Sequence, residues 1–256
     1  MEIEEIRDIL RFARSSYSKE NYPLDLKTLY TEDSNYGDFY RILLDTQIRK
    51  DEEVADRVFG IPQPDTRYMF LKSNFTARAL NTIAVLDLSG EDIPDYSRAI
   101  SKAYKHLFIV STLLRLGSRR AAISLAKKTL RLAQRYEFHH VSIELLEQLR
   151  TNSLHQGKTT EYEITVKKLN RELAILESES KVKTLEERLL IHSARSLYID
   201  ESLQEQAHKA LVGMETELAK HDTYMIHMAY YRMQYIYFQV IGNPLQSVEA
   251  CDNAIT

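Results

Sequence analysis

Apolar residues recur three and four positions apart along this chain, and nowhere is a period-two alternation sustained long enough to make a strand. A chain patterned this way carries apolar stripes, so its helices must pack on one another. The pattern is plainest from Arg119 to Tyr136, where Ala122, Leu125, Ala126, Thr129, Leu132, Ala133 and Tyr136 fall on one face. The small residues at 122, 126, 129 and 133 let a neighbouring helix approach closely, while Arg120, Lys127, Lys128, Arg131 and Arg135 occupy the rest. Seven Gly and five Pro in 256 residues are too few for a many-turned β protein. At this length the chain must split into two cores or extend as an array that never needs one large core.

Turn signals give the organisation. Gly60-Ile-Pro-Gln-Pro64 ends one helix, Ser89-Gly90 breaks the chain before Asp92 and Pro94, and Gly117, Gly157 and Gly242 end further helices. Thr160 with Glu163, Thr184 with Glu187 and Ser202 with Glu205 have the form of capping boxes. Asn243-Pro244 reads as a cap followed by proline at the first helical position. These breaks predict helices at about 3 to 17, 36 to 59, 65 to 88, 93 to 116, 119 to 136, 140 to 155, 160 to 181, 184 to 198, 203 to 220, 223 to 241 and 244 to 256. Residues 1–92 form an N-terminal helical region and 93–256 a run of helical repeats. The steps from Gly117 to Gly157, on to Asp200 and on to Gly242 are 40, 43 and 42 residues, one helix pair per unit.

The segment from Leu113 through Gly117 to Leu130 resembles the middle of a tetratricopeptide repeat, with Ala122 and Thr129 in that family's two small positions after the glycine turn. Ile241-Gly242-Asn243-Pro244 through Ala254 is similar, with Ser247 and Ala254 in those places. After Gly157 the corresponding residues, Tyr162 and Leu169, are bulky, which implies a wider helix spacing there. The resemblance implies an all-α fold, a right-handed superhelical array of antiparallel helix pairs (a TPR-like α-solenoid). Its concave groove would hold a peptide or a partner's helix. Carried over in register, the groove-facing residues are Ser111 and Arg115, then Glu144, Glu147 and Thr151, then Glu187, Arg232 and Gln239.

Chemistry is sparse. There is no Gly-rich phosphate loop, and the eight histidines show no metal-ligand spacing, so no cofactor, no metal and no enzyme activity is expected. Arg150-Thr-Asn-Ser-Leu-His155 has the Arg-x4-His form of HEPN-class ribonucleases, which implies His155 as acid or base and Arg150 as charge stabiliser. His155 also stands at a helix end, where the helix dipole favours a histidine for purely structural reasons, and that is the preferred reading. The helix from Arg119 to Tyr136 carries six Lys or Arg and no acid. It reads either as a track for an acidic peptide or as a solvated face answered by Glu137, Glu144 and Glu147. Tyr224, Tyr231 and Tyr235 share a face suited to core packing between repeats or to an interaction surface.

A formal net charge of −3 gives no global excess for a phosphate backbone, so nucleic acid is not expected. The single Cys251, the acidic start Met1-Glu-Ile-Glu-Glu5 and the absence of a long apolar run fit a cytoplasmic chain that does not span a membrane. The apolar-periodic helix ending at Thr256 has no polar capping helix after it, which predicts continuation of the repeats beyond this chain or oligomerisation through that helix. The expectation is a protein-interaction or scaffold module, the sensory part of a longer regulator being one form of it.

Overall fold

The computed structural model describes residues 1–15, 34–84, 93–195 and 201–255. Every regular element among them is an α-helix. They fall into two compact units, Met1–Pro94 and Asp95–Thr256.

The smaller unit holds α1 (Ile3–Ser15), α2 (Asn35–Leu44), α3 (Asp51–Phe59) and α4 (Thr66–Ala84). Its core gathers Ile3, Ile6 and Leu10 of α1 against Phe39 and Leu43 of α2 and Tyr68, Leu71 and Phe75 of α4. Phe39 meets Phe75 edge-on at 5.0 Å between ring centroids. The single helix predicted over 36 to 59 is two, and Arg7 supplies the reason. Its buried guanidinium donates to the carbonyls of Leu43 (2.8 Å), Asp45 (3.0 Å) and Ile48, oxygens that a continuous helix would keep for itself. The Asp45 side chain accepts from Gln47 N–H at 3.0 Å, tightening the turn. Beyond it, Asp51 opens α3, accepts from the buried Tyr68 hydroxyl, and takes Lys72 Nζ at 2.8 Å. Burial and the Asp51 carboxylate both push the Tyr68 hydroxyl pKa far up, so it stays a donor.

The larger unit runs α5 (Asp95–Arg115), α6 (Arg119–Arg135), α7 (His139–His155), α8 (Thr159–Arg195), α9 (Glu201–Leu218), α10 (Tyr224–Val240) and α11 (Pro244–Ile255). Helices next to one another in sequence pack on one another. The turns at Gly117, Gly157 and Gly242 have φ of 79°, 65° and 73°, conformations in which glycine carries no steric cost. In each, an N–H just past the helix bonds a carbonyl five residues back: Ser118 to Leu113, Lys158 to Ser153, Asn243 to Phe238. Glu137, with φ 56°, makes the same turn between α6 and α7, closed by Phe138 N–H on Ala133 O at 2.8 Å. Positive-φ turns thus stand at 117, 137 and 157.

At the next equivalent step the helix does not turn. The two helices predicted over 160 to 181 and 184 to 198 are the single 37-residue α8, about 55 Å long. Thr184 does not cap: its hydroxyl bonds Ser180 O at 2.8 Å, inside the helix. Nor does Thr160, which lies past the first residue of α8. The pair Ser202 and Glu205 falls at the edge of the described residues. The expected succession of one helix pair per unit is therefore interrupted, since the stretch from Gly157 to the end of α8 holds one helix and no hairpin.

Two apolar cores share this beam. The first joins α5, α6 and α7 to Leu169 of α8. The second joins Val182 and Leu189 of α8 to α9 and α10. The small residues pack closely: Ala122, Ala126, Thr129 and Ala133 are buried, as are Ser247 and Ala250, while Ala254 is half-buried. Gly213 serves a similar end, because a Cβ there would come within 2.9 Å of Leu185 Cδ1.

Candidate functional site

Between the two apolar cores, polar side chains replace the hydrophobic seam. His139, the first residue of α7, is 7% exposed and faces two carboxylates two helical turns apart on α8. Its Nδ1 lies 2.6 Å from Glu172 Oε2 and its Nε2 is 3.5 Å from Glu179 Oε1. Thr223, the N-cap of α10, donates to that same Glu179 oxygen at 2.9 Å. Ser178 donates to Glu217 at 2.7 Å and Lys220 donates to its other oxygen at 2.7 Å. Glu137, held in its left-handed turn, accepts from Tyr224 N–H at 2.8 Å. This clasp ties α7, α8, α9 and α10 together. Burial lowers the His139 pKa, but the hydrogen bond to Glu172 and the charges of Glu179, Glu172 and Glu137 outweigh it, so the net displacement is upward.

Three adjoining clefts open on the described surface of the unit. A cleft of about 340 Å³ lies where α7 meets α5 and the start of α6, lined by Leu114, Arg119, Glu144, Glu147, Gln148, Arg150 and Thr151. Three of the groove residues predicted from the resemblance, Glu144, Glu147 and Thr151, meet there. Ser111 stands close by, its hydroxyl accepting from Gln148 at 3.0 Å. On the other flank of α7, a cleft of about 540 Å³ opens between α6 and α8, and one of about 390 Å³ adjoins it toward the start of both helices. Asn152 lines all three, 7% exposed, and its Oδ1 has no hydrogen-bond partner among the described residues.

The remaining predicted residues do not join the first cleft. Arg115 is exposed at the end of α5. Arg232 is engaged by Glu186 across α8 and α10 through two bonds of 2.7 and 3.1 Å, a pairing that raises the guanidinium pKa further. Gln239 donates to the buried Ser247 hydroxyl at 2.8 Å and so belongs to the packing of α10 on α11. Glu187 is exposed, 3.8 Å from Lys183. Arg150 lines the first cleft, whereas His155 is exposed in the last turn of α7 and lines none of the three. Five residues apart on a helix means about 140° of rotation, which sends the two side chains to different faces.

Tyr224 and Tyr235 are exposed at 70% and 43%, so they are not core, while Tyr230 and Tyr237 pack against the second core. The cations of α6 are exposed, and none of Arg119, Arg120, Lys127, Lys128 or Arg131 forms an ion pair with Glu137, Glu144, Glu147 or any other acid among the described residues. Sequence reading missed His139, because its partners lie 33 and 40 positions downstream and only packing unites them.

Among the described residues, no helix is long and apolar enough to cross a membrane, and no group of His, Cys, Asp and Glu side chains is placed to hold a metal ion. The chain matches no family model, no curated protein and no solved structure.

Proposed function

We propose that the larger unit is a protein-interaction module, tetratricopeptide-like in the way its helix hairpins are stacked, that grips a peptide or a partner's helix in the cleft between α5 and α7. One observation supports this reading above the rest. Four charged side chains of both signs, Arg119, Glu144, Glu147 and Arg150, converge on a concave surface, and none forms an ion pair within the described chain. Charges left open at the rim of a cleft cost little in water and select a partner carrying the complementary pattern. Leu114 and the aliphatic stems of the two arginines add apolar contact at the same place.

A photo-crosslinking experiment tests the reading. With p-benzoylphenylalanine at Thr151, irradiation in the native cell should trap a defined partner that Glu144→Lys combined with Glu147→Lys removes. Thr151 is exposed, so the label itself should leave the fold intact. A crosslink pattern unchanged by the charge reversal would mean the cleft is not the binding surface.

A further inference from the structure

The flank of α7 away from the α5 cleft carries a second recognition surface. The cleft of about 540 Å³ has its apolar surface in Ile164 of α8, which is 49% exposed, and in the edges of Leu149 of α7 and Leu130 of α6, each 8% exposed over the core. Lys127 and Arg131 of α6 stand on one rim and Lys168 of α8 on the other. None of the three cations forms an ion pair among the described residues. The one carboxylate in the lining, Glu161, is answered by Lys158 at 3.4 Å. Cations thus flank an apolar trough on both sides, and the adjoining cleft of about 390 Å³ extends the track toward Arg119 and Arg120.

We infer that this trough binds an acidic amphipathic segment of another protein, its apolar side chains seated on Ile164 and the exposed edges of Leu149 and Leu130 and its carboxylates paired with Lys127, Arg131 and Lys168. Charge complementarity selects the occupant. Five open cations over the two clefts call for an anionic partner, and an apolar floor between cationic rims calls for one that alternates acidic and apolar faces. Nucleic acid fits less well, because the lining of both clefts contains no aromatic side chain on which a base could stack. The Asn152 amide in the wall, with its unsatisfied Oδ1, adds a buried acceptor that a donor brought by the occupant would satisfy. Lys127, Arg131 and Lys168 lie outside the α5 cleft, with which the two clefts share only Arg119 and Asn152.

The probe is a fluorescein-labelled synthetic peptide of three Glu-Leu-Ala-Asp-Leu repeats, followed by fluorescence anisotropy with the whole chain. Saturable binding that weakens as salt is raised is expected. Lys127→Glu with Arg131→Glu should weaken it at least tenfold, and Lys168→Glu alone at least threefold, with thermal midpoints within a few degrees of the parent. All three positions are exposed, and Lys168→Glu sits on a different helix, so a folding defect in one variant leaves the other informative. Arg188→Glu, on the far half of α8, should change nothing. The inference is overturned if the peptide fails to bind at millimolar concentration, if a counterpart with Lys in place of every acid binds as well, if the reversals have no effect, or if a single-stranded RNA binds more tightly through the same three cations.

Discussion

Two carboxylates beside a buried imidazole favour its protonated form, and His139 holds that position against Glu172 and Glu179. Its folded-state pKa is raised above the ordinary 6.5. A group shifted upward on folding lends stability that is complete below the unfolded value and is lost as pH climbs through the folded one. Urea midpoints of the larger unit should therefore fall as pH rises above about 6.5, and His139→Gln should flatten that dependence. If the two proteins share one pH profile, the clasp carries no proton-linked stability. Removing one partner is harsher, since it strands the rest of the cluster: Glu172→Ala should cost about 3 kcal/mol by chemical denaturation. In the smaller unit, Arg7→Leu should cost about 3 kcal/mol, because it takes the guanidinium from the buried carbonyls of Leu43 and Ile48 at the α2–α3 turn, while Asp45 O keeps the Ile48 N–H. Neither residue advertises its role in the sequence. His139 is one of eight histidines without ligand spacing, and Arg7 looks like any arginine on an amphipathic helix whose partners lie 36 or more residues on.

At the scale of elements, sequence legibility follows the local chemistry. The turns at Gly117, Gly157 and Gly242 are written in a residue type that the left-handed conformation favours, and the helices between them can be placed from periodicity alone. The turn at Glu137 is local too, but it places a non-glycine at φ 56° and so lacks that signature. The opposite error occurs in α8. Thr184 with Glu187 imitates a capping box, yet neither Gly nor Pro stands near 182–184, and packing against two cores carries the helix through. Lys183→Pro discriminates between the two. In a continuous α8 it removes a hydrogen bond and clashes with the preceding turn, costing about 3 kcal/mol or more, whereas at a loop it would be tolerated. Chemical denaturation reads the difference, and a loss below about 1 kcal/mol would favour the break.

For the larger unit as a whole, α8 is the member on which the rest is built. Its first half borders the cationic trough through Ile164, Thr165 and Lys168, its middle carries the polar clasp, and its second half supports the core shared with α9 and α10. The sequence discloses that helices stack, because every apolar stripe needs a neighbour. It does not disclose which stripes share one long neighbour, because that depends on contacts across 30 or 40 residues. Of the residues that the resemblance set in one groove, Glu144, Glu147 and Thr151 line a common cleft, because they are helical neighbours and share a surface wherever the helix packs. Arg232 and Gln239 lie apart from that cleft, engaged by Glu186 and Ser247, which α8 and α11 bring near across distances no local pattern encodes. Spin labels at Glu163 and Arg188, with Cys251→Ser removing the native thiol, measure the beam directly by electron–electron double resonance. An unbroken α8 predicts a single distance near about 38 Å between the labelled backbone positions. A population near about 22 Å, as a hairpin turning at 182–183 would give, would contradict it.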